Sequence, residues 1–199
     1  MDENRGYEVG LQLMSKTIFF VRHGQTLFNI RHKIQGRCDS PLTQLGMEQA
    51  EFVRKYLKLK NIKFNQFFSS PQERACETIE IITNYQVSYT RLKELREKDY
   101  GFLEGEPEYV LPWKFSRVDT YPSMESNNHV IQRMRQAVKI ILDSLKDNES
   151  ALVVSHGNII GRYIHNDVSS TAIDHLENGS IVVVEYKNIT PHLKKYIHF

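Results

Sequence analysis

The sequence predicts an α/β fold: a three-layer sandwich in which a mixed, mainly parallel sheet is flanked by helices. Three observations carry this expectation. Short apolar runs, Ile18–Val21 and Ala151–Val154, have the β-branched and aromatic make-up of strands covered on both faces. Between such runs lie stripes with apolar residues three and four positions apart, the spacing of one helix face. Alternation of the two implies parallel crossovers, while the last two apolar runs lie close together and imply an antiparallel pair.

In chain order, Lys16–Val21 reads as the first strand, and Arg22, His23 and Gly24 follow it directly. A cation and an imidazole thus stand at the C-terminal end of a strand, on a turn where glycine allows close approach of a ligand to the backbone. On this tripeptide alone, a surface cap on the strand explains Arg22 and His23 equally well. Ile30–Ser40 is polar. Leu42, Leu45, Ala50, Val53 and Leu57 then give an amphipathic helix over Thr43–Leu59, with Thr43 as N-cap. Asn61–Ser70 reads as turn and strand, and Pro71 suits the first turn of a helix that carries Arg74. Val87–Thr90 is a short strand candidate. Leu92–Gly105 is a charged loop, and Glu106–Ser126, with three prolines and the only tryptophan, reads as an irregular lid. Val130, Met134, Ala137, Val138, Ile141 and Leu145 form a second helical stripe. Ala151–Val154 is a strand followed by Ser155, His156, Gly157 and Asn158, which repeats the opening arrangement; Asn158–Asn166 is the next expected helix. Ile181–Tyr186 and Leu193–Phe199 are the closing strands, joined by a turn near Asn188–Pro191. Neither an internal repeat nor a linker interrupts the chain, so residues 1–199 read as one domain, with Met1–Ser15 as a loose arm or, if Met14 is the true start, as an upstream extension.

Composition narrows the function. The 199 residues are 40% hydrophobic and 25% charged, as expected of a folded globular chain. A net charge of +2 without a dense basic run argues against nucleic acid, and no apolar run approaches the ~18 residues of a membrane span. Cys38 and Cys76 form no CxxC pair and no secretion signal precedes them, which points to reduced thiols in a cytoplasmic protein.

A parallel sheet would bring three strand ends to one edge, gathering Arg22 and His23, Arg74, and His156. Two guanidiniums and two imidazoles there make an anion site, and the planar arginine fork matches phosphate oxygens. A neutral histidine can serve as the nucleophile. Phosphoryl transfer also needs a proton for the leaving oxygen, and Glu97 in the charged loop is the nearest candidate acid. Other chemistries fit less well. Neither cysteine has an arginine at C-x5-R spacing, and D-x-D, P-loop and G-x-S-x-G motifs are missing. His32, His129, His165, His175, His192 and His198 show no ligand spacing, so neither a metal nor another cofactor is expected.

The chain resembles the histidine phosphatase superfamily, in its phosphoglycerate mutase-like branch. Five ordered motifs carry the resemblance: VRHGQTLFN from Val21, QGRCDSPLTQLGMEQA from Gln35, SSPQERACET from Ser69, LREKDYGFLEG from Leu95 and VVSHGN from Val153. It implies the phosphoglycerate mutase-like fold. It further implies His23 as the phosphorylated nucleophile and Glu97 as proton donor. Arg22, Asn29, Gln35, Gly36, Arg74 and Gly157 would be substrate-binding, and His156 would be the second active-site histidine. The substrate class so implied is a small phosphorylated metabolite, and a homodimer stays open as a partner.

Phosphatase is favoured over phosphoglycerate mutase. Glu106–Ser126 is short, with Lys114 and Arg117 as its only cations, whereas the family's mutases carry a longer insert with adjacent basic residues. Trp113, Phe115 and Tyr109 suit either a ring-bearing leaving group or packing of the lid. A non-catalytic phospho-ligand binding module is the third reading; Glu97 speaks against it, because a carboxylate beside a phosphate dianion would only weaken binding.

Overall fold

A computed structural model describes residues 15–111, 122–170 and 175–198. The arm before Ser15 lies outside these residues, as do Trp113, Lys114, Phe115 and Arg117 of the expected lid.

Six strands form one sheet: β1 (Ser15–Arg22), β2 (Gln66–Ser69), β3 (Thr90–Arg91), β4 (Ser150–Ser155), β5 (Ile181–Lys187) and β6 (Thr190–Ile197), in the spatial order β3-β2-β4-β1-β5-β6. The pairs β2–β3, β2–β4 and β1–β4 are parallel, and β1–β5 and β5–β6 are antiparallel. The sheet is therefore mixed, as its sequence implies. Register matters most for function. Arg22 lies opposite Ser155, Val154 opposite Ser69, and Ser69 opposite Arg91, so the four parallel strands end flush along one edge.

Alternation along β1 sends Ile18 and Phe20 to one face and Phe19 and Val21 to the other. The first pair packs with Val130, Met134, Ala137 and Ile141 of α4 (Asn127–Ser144) and with Ile159 and Ile160 of α5 (Gly157–Tyr163). The second packs with Ala50, Val53 and Leu57 of α2 (Gln44–Leu59) and with Ala75, Ile79 and Ile82 of α3 (Glu73–Ile82). Both faces of the sheet are covered, which gives the three layers. One further helix, α1 (Leu27–Ile30), is a single turn capped by Thr26.

Several boundaries differ from expectation for identifiable reasons. Thr43 caps α2 as predicted, through its hydroxyl to the Gly46 N–H. α3 starts at Glu73 rather than at Pro71. Gln72 occupies its N-cap position, but the Gln72 amide is drawn into the site, and Asp39 from the preceding loop accepts the Glu73 N–H at 2.7 Å instead. The strand expected over Val87–Thr90 shrinks to the two residues of β3, which meet only the end of β2 at the sheet margin. The helix expected to reach Asn166 is α-helical only to Tyr163 and continues as a π turn over Ile164–Val168. There the Asn166 side chain donates to the Arg162 carbonyl at 2.7 Å and competes with the helical ladder. The closing hairpin turns on Asn188 and Ile189, both at positive φ, which suits the twist of a two-residue hairpin loop. β6 begins at Thr190 and includes Pro191, tolerated because β6 is an edge strand. Among the described residues no helix is long and apolar enough to cross a membrane.

Candidate active site

The flush strand ends bring Arg22 and His23 (after β1), Ser70 to Arg74 (after β2) and His156 (after β4) together, and the loop after β3 adds Glu97. The rings of His23 and His156 lie 5.2 Å apart, centroid to centroid, and inclined at 61°. Both rings and the Arg74 side chain are buried.

His23 Nδ1 lies 2.7 Å from the Gly24 carbonyl oxygen. A carbonyl only accepts, so Nδ1 carries the proton and Nε2 keeps its lone pair. That lone pair is met by Arg74 Nε at 3.3 Å, a long and easily exchanged contact. Burial holds the His23 pKa well below the ordinary histidine value, and the Arg74 and Arg22 charges lower it further, so the imidazole is neutral. His156 is depressed in the same way, first by burial and then by Arg74. Its Nε2 pairs with Ser70 Oγ at 2.8 Å.

Arg74 is anchored on one side. Its Nη1 donates to Asp39 Oδ1 at 2.6 Å and to the Cys38 carbonyl at 3.0 Å, and its Nη2 donates to the Gly36 carbonyl at 2.9 Å. Arg22 donates through Nη1 to the Leu176 carbonyl. Among the described residues Arg22 Nε and His156 Nδ1 are buried with no partner inside the protein. Two unmet polar nitrogens beside a buried cation are what an anion's oxygens would complete. Burial lowers the Arg22 pKa, with Glu97 and Glu177 opposing.

Glu97 is fixed from three sides. Its N–H donates to Gln72 Oε1 at 2.8 Å, while its carboxylate accepts the N–H of Lys98 at 2.8 Å and that of Asn158, in the first turn of α5, at 3.0 Å. A cavity of about 520 Å³ is lined by Glu97 together with Arg22, Asn29, Gly157, Lys33 and Arg162. His23, Arg74 and His156 are buried and do not line it.

The other expected binding residues are placed less directly. Asn29 lines the cavity, with its Oδ1 held by Thr26 and Asn178. Gln35 also lines it, but its amide is tied to Thr26 and Ser40. Gly36 contributes its carbonyl to Arg74 and Gln72, and a Cβ there would lie 2.3 Å from Glu104 and 2.5 Å from the Lys98 carbonyl. Gly157 packs against Arg22, whose Nε, Cζ and Cδ would be 3.1–3.3 Å from a Cβ. Gly24 also differs from expectation: its missing side chain makes room for the α2 backbone, since a Cβ would sit 2.2 Å from the Gly46 carbonyl. Tyr109 is exposed. Sequence reasoning did not single out Asp39, Ser70, Gln72, Asn158 or Asn178 as supports of the site; all but Asn178 lie within the five quoted motifs, which were the available signal. Among the described residues no group of three or more His, Cys, Asp or Glu side chains is placed to hold a metal ion.

Comparison with known proteins identifies the family. The family model described as histidine phosphatase superfamily (branch 1) matches residues 18–198. A probable phosphoglycerate mutase GpmB of Proteus mirabilis is 32% identical over 186 residues, covering 86% of this chain and 85% of its own. An uncharacterized phosphatase, PhoE of Bacillus subtilis, is 31% identical over 144 residues, 72% of each chain. Among solved structures, Bacillus stearothermophilus YhfR superposes with a TM-score of 0.80 at 26% identity, covering 89% of this chain and 95% of that one. With the family model spanning nearly the whole sheet and both buried histidines inside the match, this chain belongs to the histidine phosphatase superfamily, branch 1.

Proposed function

We propose that the protein hydrolyses phosphomonoesters of small metabolites through a phosphohistidine on His23. The observation that carries this reading is the placement of His23: with Nδ1 on the Gly24 carbonyl at 2.7 Å, Nε2 is left with a lone pair beside the buried Arg74. In the first step Nε2 bonds to phosphorus, the ester P–O bond breaks, and the Glu97 proton passes to the leaving oxygen. Arg22, Arg74 and His156 offset the charge on the equatorial oxygens. When Ser70 donates to His156 Nε2, Nδ1 carries the proton and supplies the donor. In the second step the Glu97 carboxylate takes a proton from water, the water oxygen bonds to phosphorus, and the P–N bond returns its electrons to His23.

This scheme draws its positive charge from side chains and needs no metal or other cofactor. The free thiols of Cys38 and Cys76 suit a reducing compartment, and we assign the protein to the cytoplasm on that ground. A mutase reading has one observation on its side: Lys33 and Arg162 also line the cavity and could hold a second anionic group of the substrate. The test is a panel of phosphomonoesters assayed with chelator present, beside a mutase assay primed with 2,3-bisphosphoglycerate. Phosphate release that survives chelation supports the hydrolase. Isomerisation outrunning release would replace it with the mutase, and tight phosphate binding without turnover would replace it with a binding module.

A further inference from the structure

Glu97 lies in a loop with little regular structure: after β3 only a single 3-10 turn, Lys93–Leu95, precedes it. Something else must hold its backbone. The Glu97 N–H is taken by Gln72. Its carbonyl accepts Arg133 Nη2 at 3.1 Å, and the same guanidinium donates through Nη1 to the carbonyls of Glu94, at 2.8 Å, and of Arg96. Arg133 projects from α4, thirty-six positions along the chain, and is itself buried. Its orientation is locked by Glu125, whose carboxylate oxygens take Arg133 Nε at 2.6 Å and Nη2 at 2.9 Å. Glu125 in turn accepts the Asp99 N–H at 3.0 Å, on the far side of Glu97. One buried ion pair therefore grips the loop at Glu94, Arg96, Glu97 and Asp99. Such a pair is a poor source of net stability, because desolvation offsets the Coulomb gain. Its planar fork suits a geometric task better: all five N–H donors are used, on three loop carbonyls and both Glu125 oxygens, and an ammonium has only three.

We propose that Arg133, locked by Glu125, is a positioning residue that sets the placement of Glu97 for proton transfer. This rests on the assignment of Glu97 as general acid. The expected signature is selective. Protonation matters for a poor leaving group such as an alkoxide and matters little for p-nitrophenolate. A displacement of about 1 Å in a catalytic group lowers a rate by up to ~10²-fold, so loss of the fork should act only where the acid acts.

The experiment measures the rate of phosphoenzyme formation by rapid quench for an alkyl phosphate and for p-nitrophenyl phosphate, in wild type, Arg133→Met, Arg133→Lys and Glu97→Gln. Orthovanadate affinity and melting temperature are recorded for each. Arg133→Met should slow the alkyl phosphate by ~10–100-fold and p-nitrophenyl phosphate by less than about threefold, with vanadate affinity unchanged. Arg133→Lys keeps the charge but brings three donors to five acceptors and cannot hold the loop carbonyls and Glu125 together, so it should show the same selectivity; it decides the question if Arg133→Met does not fold. Equal losses with both substrates, or no loss, while Glu97→Gln is selective, would overturn the role of Arg133 and leave Glu97 standing. An unselective Glu97→Gln would remove Glu97 as the acid, and the role of Arg133 with it.

Discussion

Replacing Glu97 by glutamine changes one oxygen into an amine at a position where the structure demands two acceptors. One carboxylate oxygen accepts the Lys98 N–H and the other accepts the Asn158 N–H. Glutamine satisfies only one of them; its NH2 must then face a second N–H, and a buried backbone donor is left unmet. Such a loss costs about 1–3 kcal/mol, which for a chain of this length lowers the melting temperature by ~2–12 °C. The catalytic effect is separate and depends on the leaving group. A general acid contributes ~10²–10⁴-fold, so phosphorylation of His23 by an alkyl phosphate should fall within that range. With p-nitrophenyl phosphate the same step should be nearly unaffected, because the phenolate departs without a proton. Hydrolysis of the phosphohistidine still needs Glu97 as base, so the variant should show a burst of p-nitrophenol followed by a low steady rate. Rapid-quench and stopped-flow measurements on both substrates, with a thermal melt of each protein, separate the two effects. An equal loss of the phosphorylation step with both substrates would refute the assignment, and Glu94 or Asp99 would be the next carboxylates to test.

Two further outcomes follow from the same geometry. His23→Ala should abolish turnover, and brief incubation of the wild type with labelled phosphomonoester should trap an acid-labile, base-stable phosphoramidate; label on serine, cysteine or aspartate would exclude the mechanism. Stability should also fall in mild acid. Burial and the arginines depress the pKa of His23 and His156 in the folded chain, so below about pH 6.5 the unfolded chain binds protons that the folded one refuses. The stabilisation is complete above that pH and is lost as pH falls toward the folded-state values, by up to ~1.4 kcal/mol per pH unit for each histidine. His23→Asn should therefore flatten the dependence of melting temperature on pH between about 6.5 and 5, and an unchanged slope would contradict the depressed value.

The positions that meet at the sheet edge were legible because each follows a short apolar run. Arg22 and His23 come directly after Val21, and His156 comes two positions after Val154, with Ser155 between. Parallel pairing in flush register then brings them together, and register is a consequence of burying both faces of β1 and β4. What supports these residues was not legible. Asp39 meets Arg74 across thirty-five positions, Arg133 meets Glu97 across thirty-six, and His156 meets Ser70 across eighty-six. None of these pairs leaves a periodicity or a spacing, because a polar contact between two loops is specified only after the helices on either side have packed. Gly24 shows the complementary limit. Its sequence context signalled close approach correctly, but the approaching group is the Gly46 carbonyl of α2, and a glycine does not announce which backbone it makes room for.

The two arginines consequently stand in unlike states before substrate arrives. Arg74 has both Nη1 hydrogens on the Asp39–Cys38 side and one Nη2 hydrogen on Gly36. What remains is its Nε edge, facing His23 Nε2 at 3.3 Å. The Asp39 pair therefore does more than neutralise a buried cation. It holds the guanidinium with its Nε facing His23 Nε2. In the proposed scheme, phosphate entering there would exchange one long N–H···N contact for hydrogen bonds between two charged groups. Arg22 is arranged the other way, with Nη1 fixed on the Leu176 carbonyl and a buried Nε without a protein partner. If the proposed scheme holds, binding the dianion would require little rearrangement of either side chain, because Asp39, Gly36 and Leu176 already fix both guanidiniums. This is the condition under which electrostatic stabilisation carries over undiminished to the transition state.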